Sequence, residues 1–232
     1  MGAYMGYIVI TGIFSLLGMF LSNRLKSKFQ HYSQVSMTSG RSGREIAQAM
    51  LDYYGINDVK IEEGQGFLSD HYNPLTKTVK LSPDVYQGRT VAAAAVAAHE
   101  CGHAVQHANA YVWLKLRSAI VPVVNLAAKA QQFLLLFALG AFGVNGSPTL
   151  MLITMVTFGV TALFSIITLP VEFDASRRAL AWLDESRAAK GTEYEGAKDA
   201  LWWAAMTYVS AAMSALVLFF YFLLRYQAMS RR

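Results

Sequence analysis

The chain of 232 residues carries a net charge of +5, and 54% of its residues are hydrophobic. Only 15% are charged, against about 25% in a typical soluble domain. This balance, with a mean hydropathy of +0.32, excludes an ordinary soluble globule and indicates a membrane protein. Lysine and arginine are scattered without interleaved aromatic residues, which argues against nucleic-acid binding. The single cysteine excludes a disulfide within the chain and suits a reducing compartment.

The first hydrophobic block covers about residues 4–21, close to the roughly 20 apolar residues that a membrane-spanning helix needs. Arg24, Lys26 and Lys28 follow it. A cleaved signal peptide would carry its positive charges before the apolar run and would end in a small-residue cleavage site. The pattern therefore predicts an uncleaved transmembrane anchor over residues 1–23.

Residues 24–117 have the composition of a soluble domain, and hydrophobic periodicity predicts its elements in chain order. They are a helix over 41–56 with Gly55 as its stop, strands over 59–62 and 77–81, a helical region starting at Ser82 and Pro83, and a helix over 91–108. The last helix is so rich in alanine that we expect another element to pack closely against it.

That helix carries the motif His99-Glu100-Cys101-Gly102-His103. A separation of four residues places both imidazoles on one helical face, where they can converge on one zinc ion. Glu100 lies beside them and can act as the general base for a water that attacks a peptide carbonyl. Two surface histidines could share this spacing by chance, but a buried and otherwise apolar helix makes that alternative unfavourable.

His107 lies a further four residues along the helix. It is about 12 Å from His99 at 1.5 Å per residue, and no glycine or proline breaks the helix between His103 and His107. We therefore expect His107 to support the site or to lie at the surface. Cys101 points away from the two histidines and is expected to pack in the core.

Two further hydrophobic blocks, residues 119–144 and 149–171, flank the turn GVNGSP at residues 143–148. They predict a transmembrane hairpin over residues 118–171 that returns the chain to the membrane face it left. Glu172 follows directly, in a polar segment over residues 172–200. It is therefore the expected third zinc ligand, completing a His₂Glu set with an open position for water; the alternative is an interfacial acid at a helix start.

Several other residues are candidates for supporting roles around this ion. Asp174 or Ser176 could orient a ligating histidine. Arg177, Arg178 and His71 could stabilise the oxyanion, and His71 and His107 are the reserve ligands if Glu172 does not bind. The sequence alone leaves these alternatives open.

A fourth hydrophobic block, residues 201–224, predicts a C-terminal transmembrane helix and tail over residues 201–232. Lysines and arginines concentrate in the two long polar segments, so the positive-inside rule places those segments, and the active site, in the cytoplasm. The three arginines of the C-terminal tail disagree with this orientation. The expected architecture is a mainly α multi-pass membrane protein with about four transmembrane helices.

The chain resembles the YugP-type membrane zinc metallopeptidases of bacteria over nearly its whole length. The resemblance rests on SGREIAQAMLDYYGI, on LSDHYNPLTKTVKLSPDVYQGRTVAAAAVAAHECGHAVQHA and on LPVEFDASRRAL. It implies a location in the inner membrane of a bacterial cell. It also implies a zincin-like α+β catalytic domain with a small sheet, whose edge holds the substrate as an added strand, expected near residues 76–81.

A more remote resemblance is to membrane peptidases whose third zinc ligand is the glutamate of an E-x-x-x-D motif. It implies the same role for Glu172. The position four residues later is Ser176 instead of aspartate, so the supporting role of that position is left open between Ser176 and Asp174.

The motif, Glu172 and the resemblance together predict a membrane zinc endopeptidase with one catalytic Zn²⁺ and peptide or protein substrates. A competing hypothesis is a catalytically silent membrane scaffold or adaptor that keeps zinc for structure; an intact Glu100 argues against it. Proteolysis within the bilayer is a third hypothesis. It requires the motif helix to span the membrane, and the polar run HECGHAVQH makes that helix a poor span.

Overall fold

A computed structural model describes residues 2–138 and 147–231 of the chain. The described residues are mainly helical with one small sheet, which confirms the predicted fold class. The helices are α1 (Gly2–Tyr32), α2 (Gly43–Tyr53), α3 (Pro83–Tyr86), α4 (Val91–Ala108), α5 (Val112–Ala138), α6 (Pro148–Glu185) and α7 (Thr192–Ser230). The strands are β1 (Lys60–Glu63), β2 (His71–Asn73) and β3 (Thr78–Leu81). Residues 143–146 of the predicted GVNGSP turn lie outside the described part.

Four of the described helices, α1, α5, α6 and α7, are long and apolar enough to cross a membrane. Helices α1, α6 and α7 each contain one of the predicted hydrophobic blocks and continue beyond it into polar sequence, and α5 covers residues 119–138 of the block predicted over 119–144. The helix that carries the histidine motif, α4, is not among them. The hypothesis of intramembrane proteolysis requires this helix to span the membrane, and α4 is not one of the candidate spans among the described residues.

The chain divides into two compact units. The first, which we call the apolar unit, comprises Met1–Phe20, Leu116–Leu169 and Thr207–Arg232. Its core contains Phe158 stacked on Phe222 with ring centroids 4.8 Å apart, and Gln131 of α5 donates to Thr161 of α6 at 2.9 Å. The second, the mixed unit, comprises Leu21–Lys115 and Pro170–Met206 and contains every candidate site residue.

The core of the mixed unit forms where α2 packs on the alanine face of α4. Ser42 and Glu45 form a capping box that starts α2, and Gly55 follows that helix with a φ of +67°, a conformation that favours glycine. Ile46, Met50 and Leu51 of α2 are fully buried. Alanine side chains let the two helices approach closely, as the composition of α4 predicted.

The sheet has the strand order β1-β3-β2, with β1 parallel and β2 antiparallel to β3. The sequence predicted β1 and β3 to within one residue but missed β2, because its three residues are too short for a periodic signal. The central position of β3 also corrects the substrate-edge prediction. Residues 78–80 are paired on both sides with neighbouring strands, so the outer edges of this sheet belong to β1 and β2.

Pro170 lies inside helix α6, which runs from Pro148 to Glu185. A proline inside a helix removes one backbone hydrogen bond, but it does not end this helix. The boundary between the two compact units nevertheless falls between Leu169 and Pro170, so one helix supplies both units.

Candidate metal centre

The motif helix places His99 and His103 as the spacing predicted, one turn apart on one face. Thr90 caps α4 by accepting a hydrogen bond from the backbone of Ala93 at 3.3 Å. The two imidazole centroids lie 4.8 Å apart in an edge-on arrangement. His103 is buried and His99 half-buried, so both rings are held away from bulk water.

Gly102, between the two histidines, lets α6 approach this face of α4. A Cβ atom at Gly102 would lie 2.5 Å from the backbone oxygen of Ala175, well inside van der Waals contact. Any side chain at this position would push the two helices apart. The glycine of the motif therefore decides how near the acidic segment of α6 comes to the histidines.

That approach brings the Glu172 carboxylate between the two rings. Its Oε2 lies 3.4 Å from His99 Nε2 and 3.6 Å from His103 Nε2, and one donor atom from each of the three residues lies within 4.8 Å of the other two. Donors bound to one tetrahedral zinc at its usual ligand distances are about 3.4 Å apart. Two imidazole nitrogens and one carboxylate oxygen at these separations fit zinc.

The charges around the centre favour a cation. Glu100 is buried at 8% exposure and Glu172 at 2%. Burial by itself lowers the pKa of His103, but the hydrogen bond with Glu172 and the negative charges of Glu172 and Glu100 outweigh it and leave that pKa above its ordinary value. Two buried carboxylates beside two imidazoles form an environment that a divalent ion would neutralise.

Ser176 lies behind the first histidine. Its Oγ is 3.1 Å from His99 Nδ1, on the opposite side of the ring from the nitrogen that faces Glu172. The structure therefore brings Ser176, and not Asp174, to His99. A partner on the far nitrogen is the usual device that orients a ligating imidazole.

Behind His103 stands Gln106, which the sequence interpretation overlooked. Its Oε1 lies 3.0 Å from His103 Nδ1, and its Nε2 donates to Asp174 Oδ2 at 2.9 Å and to the backbone oxygen of Val171 at 2.8 Å. Asp174 thus reaches His103 only through Gln106. A polar residue three positions after a ligand, on the buried face of an apolar helix, was the signal available in the sequence.

Arg177 and Arg178 both pair with the Asp174 carboxylate, Arg178 through Nε at 2.6 Å. Arg177 is largely exposed, with 77% of its side chain accessible. The structure therefore gives both arginines a partner behind the centre, and their predicted role as oxyanion stabilisers stays a prediction.

The remaining candidates lie apart from the three convergent donors. His107 Nδ1 is 2.7 Å from the phenolic oxygen of Tyr72 on β2, and burial raises the pKa of Tyr72 to about 12, which keeps the phenol protonated. His71 is exposed, with its Nδ1 2.8 Å from the backbone oxygen of Ser69. Cys101 is buried with its Sγ 3.6 Å from the backbone oxygen of Ala47.

Comparison with known proteins places these observations in a family. The sequence profile of the family described as "Putative neutral zinc metallopeptidase" matches residues 7–227. The "Putative membrane protease YugP" of Bacillus subtilis (strain 168) is 42% identical over 193 residues, which cover 83% of this chain and 84% of that protein. No solved structure matches the chain.

Proposed function

The chain belongs to the neutral zinc metallopeptidase family, and on that premise we propose that it is a membrane-associated endopeptidase with one catalytic zinc ion. His99, His103 and Glu172 hold the ion in this proposal. The observation that carries it is the convergence of two imidazole nitrogens and a carboxylate within 4.8 Å. Three protein ligands leave the fourth tetrahedral position open, which distinguishes catalytic zinc sites from structural ones.

When bound, zinc supplies Lewis acidity that polarises a peptide carbonyl and makes a water more acidic. Glu100 supplies the general base: its carboxylate takes the proton from the attacking water and afterwards delivers it to the leaving nitrogen. Burial of Glu100 beside the two histidines supports this role, because it holds the carboxylate at the site and out of bulk water. Ser176 and Gln106 orient the two imidazoles.

The free edge of β2 is the best candidate for holding the substrate. An extended peptide can add to an exposed edge strand through main-chain hydrogen bonds. Tyr72 of β2 contacts His107 of α4, so β2 is the edge strand that runs beside the motif helix. The proposed binding strand is therefore residues 71–73 and not the predicted residues 76–81.

The four long apolar helices support a multi-pass arrangement in a bacterial membrane. The concentration of lysine and arginine in residues 24–117 and 172–200 favours a cytoplasmic site. All three proposed ligands lie in the mixed unit, which contains residues 24–115 of the first polar segment and all of the second. Substrates that the site can reach are thus cytoplasmic peptides or the cytoplasmic parts of membrane proteins.

Glu100→Gln tests the proposed chemistry. The amide keeps the shape of the side chain but cannot accept the proton from water, so hydrolysis is expected to fall by about 10²-fold or more while zinc content stays equal to wild type. The assay combines metal analysis of purified protein with cleavage of a casein digest or of membrane-protein peptides. Glu45→Gln, an exposed glutamate far from the proposed ligands in sequence, is the matched control.

A fully active Glu100→Gln variant would overturn the proposed mechanism. Zinc bound in stoichiometric amount by a wild-type protein that cleaves nothing would favour the alternative of a zinc-binding scaffold or adaptor. Wild-type protein that binds no zinc would overturn both hypotheses.

A further inference from the structure

Gln106 is fully buried in a helix face that otherwise packs with small apolar side chains. A buried amide is tolerated only when its donors and acceptor are satisfied. Gln106 meets this condition with three partners: Val171, Asp174 and His103. Its nearest neighbour in the centre is His103, three residues earlier on α4.

The chemistry of these partners permits a single orientation of the amide. A backbone carbonyl can only accept a hydrogen bond, and so can an ionised carboxylate. The Val171 oxygen and the Asp174 carboxylate both contact the same end of Gln106. That end must therefore be the NH₂ group, which has two hydrogens to donate, and the oxygen must face His103.

An amide oxygen facing His103 Nδ1 fixes the state of the ring in turn. Oε1 can only accept, so Nδ1 must carry the proton. In the neutral imidazole the lone pair is then on Nε2, the nitrogen that lies 3.6 Å from Glu172 Oε2 and is available to a metal.

We propose that Asp174 and Gln106 act in series as positioning residues that hold His103 in the Nδ1–H tautomer with its Nε2 lone pair directed at the metal. Asp174 anchors the amide, and the amide directs the ring. This inference rests on the proposed metal site but adds two residues that act through His103 without touching substrate or metal.

Two arginines keep Asp174 in the state that this arrangement needs. Arg178 Nε donates to Oδ2 at 2.6 Å, and Arg177 pairs with Oδ1. The Arg178 guanidinium also lies over the ring of Tyr111, 5.7 Å from its centroid. An ionised, doubly paired carboxylate has no proton to offer, so it cannot exchange roles with the amide.

The partner of the other histidine lacks this directionality. The Ser176 hydroxyl can donate or accept, so its contact with His99 Nδ1 at 3.1 Å orients the ring without imposing a tautomer. Ser176 is therefore a matched control: it lies in the same segment of α6 as Asp174, and it supports the other histidine.

The first test is a double-mutant cycle on zinc affinity, measured with a chromophoric chelator. Gln106→Met, of similar volume, is expected to weaken zinc binding about 10- to 100-fold. Asp174→Asn should weaken it in the wild-type background but add almost nothing to Gln106→Met, because it acts through the same amide. Ser176→Ala should multiply the loss caused by Gln106→Met.

Full additivity of Asp174→Asn with Gln106→Met would overturn the serial arrangement, and so would wild-type affinity in Gln106→Met. Far-ultraviolet circular dichroism of each metal-free variant checks that it has folded. If wild-type protein itself binds no zinc, the proposed function fails, and the tautomer measurement below still decides the inference.

The second test needs no variant. Nitrogen-15 NMR of metal-free wild-type protein, at a pH where the ring is neutral, distinguishes the protonated nitrogen of each histidine. A protonated Nδ1 and an unprotonated Nε2 are expected at His103. A protonated Nε2 at His103 would overturn the proposal. In Asp174→Asn only the Val171 carbonyl still requires the NH₂ end of Gln106, so a larger share of the other tautomer is expected there than in wild type.

Discussion

The two halves of α6 satisfy their buried polar groups in opposite ways. In the half that belongs to the apolar unit, hydroxyl groups donate to backbone oxygens of their own helix three or four residues earlier; they are those of Thr154, Thr157, Thr161, Ser165 and Thr168. In the half that belongs to the mixed unit, the polar side chains contact α4 instead. Asp174 accepts a hydrogen bond from Gln106, 68 positions away, and Ser176 contacts His99, 77 positions away. Glu172 lies beside His99 and His103.

This difference in hydrogen-bond partners determines which half of α6 can contribute to a site shared with another helix. A hydroxyl that donates to its own helix is satisfied wherever that helix goes, and that bond constrains no other element; Thr161 also accepts a hydrogen bond from Gln131 of α5. A buried carboxylate that needs an imidazole or an amide on another helix fixes the distance and orientation of both partners. The polar groups after Pro170 therefore form part of the candidate site, whereas the hydroxyl groups before it donate within their own helix.

Removing Glu172 should give the largest effect. Glu172→Ala takes away the only carboxylate that lies between the two imidazoles among the described residues, so zinc occupancy should fall as far as in His99→Ala. Metal analysis after dialysis measures it. Thr168→Val, one turn earlier and buried on the same helix, is the control and should keep wild-type zinc. Unchanged zinc content in Glu172→Ala would contradict this assignment and leave His107 or His71 as the third ligand.

Widening the gap between α4 and α6 should have the next largest effect. Gly102→Ala places a Cβ 2.5 Å from the Ala175 oxygen, so the helices must separate at a cost of about 1–3 kcal/mol. Both the free energy of unfolding and the zinc affinity should fall. Gly12→Ala, with nothing within 4 Å of the added atom, should change neither. Wild-type zinc affinity in Gly102→Ala would show that the close approach does not position Glu172.

A local polar contact in the mixed unit should matter less and should depend on pH. Hydrogen bonds from Ser42 lower the pKa of Glu45, and Arg89 pairs with the carboxylate at 3.1 Å. A lowered pKa means that the capping contribution is present above the pKa of the unfolded chain and is lost as the pH falls through the folded value.

The thermal midpoint of Glu45→Gln should therefore lie slightly below that of wild type at pH 7, and the difference should vanish in acid. Thermal unfolding of metal-free protein from pH 7 downward measures it. A difference that grows as the pH falls would contradict the sign of this linkage.

The smallest effect is expected in the apolar unit. Thr157 is buried and donates to the backbone oxygen of Thr154 at 2.8 Å. Thr157→Val preserves the shape and removes a bond that no other element needs, so the free energy of unfolding should change by less than about 0.5 kcal/mol. Zinc affinity should not change. A large loss of stability would erase the contrast between the two halves of α6.

Sequence patterns are sufficient to predict the long apolar helices, the motif helix and the two histidines on one face. These follow from periodicity and spacing, which are properties of neighbouring residues. The exact bounds of α4, Val91–Ala108, agree with the prediction because a threonine cap and an unbroken alanine run leave little choice. The predicted transmembrane hairpin places Glu172 on the same membrane face as the histidines. The close approach of its carboxylate to both rings depends on tertiary packing.

The residue that contacts the far nitrogen of each histidine depends on tertiary packing and could not be predicted from the sequence. Ser176 and Asp174 were candidates from the sequence, and Gln106 was missed. Nothing in the spacing of these three residues assigns any of them to a particular histidine. The same holds for β2, whose three residues become a strand only by pairing with β3, and for the continuity of α6 through Pro170. Hydrogen bonds between residues far apart in the chain depend on how closely two elements approach. Here that approach was set by the absent side chain of Gly102.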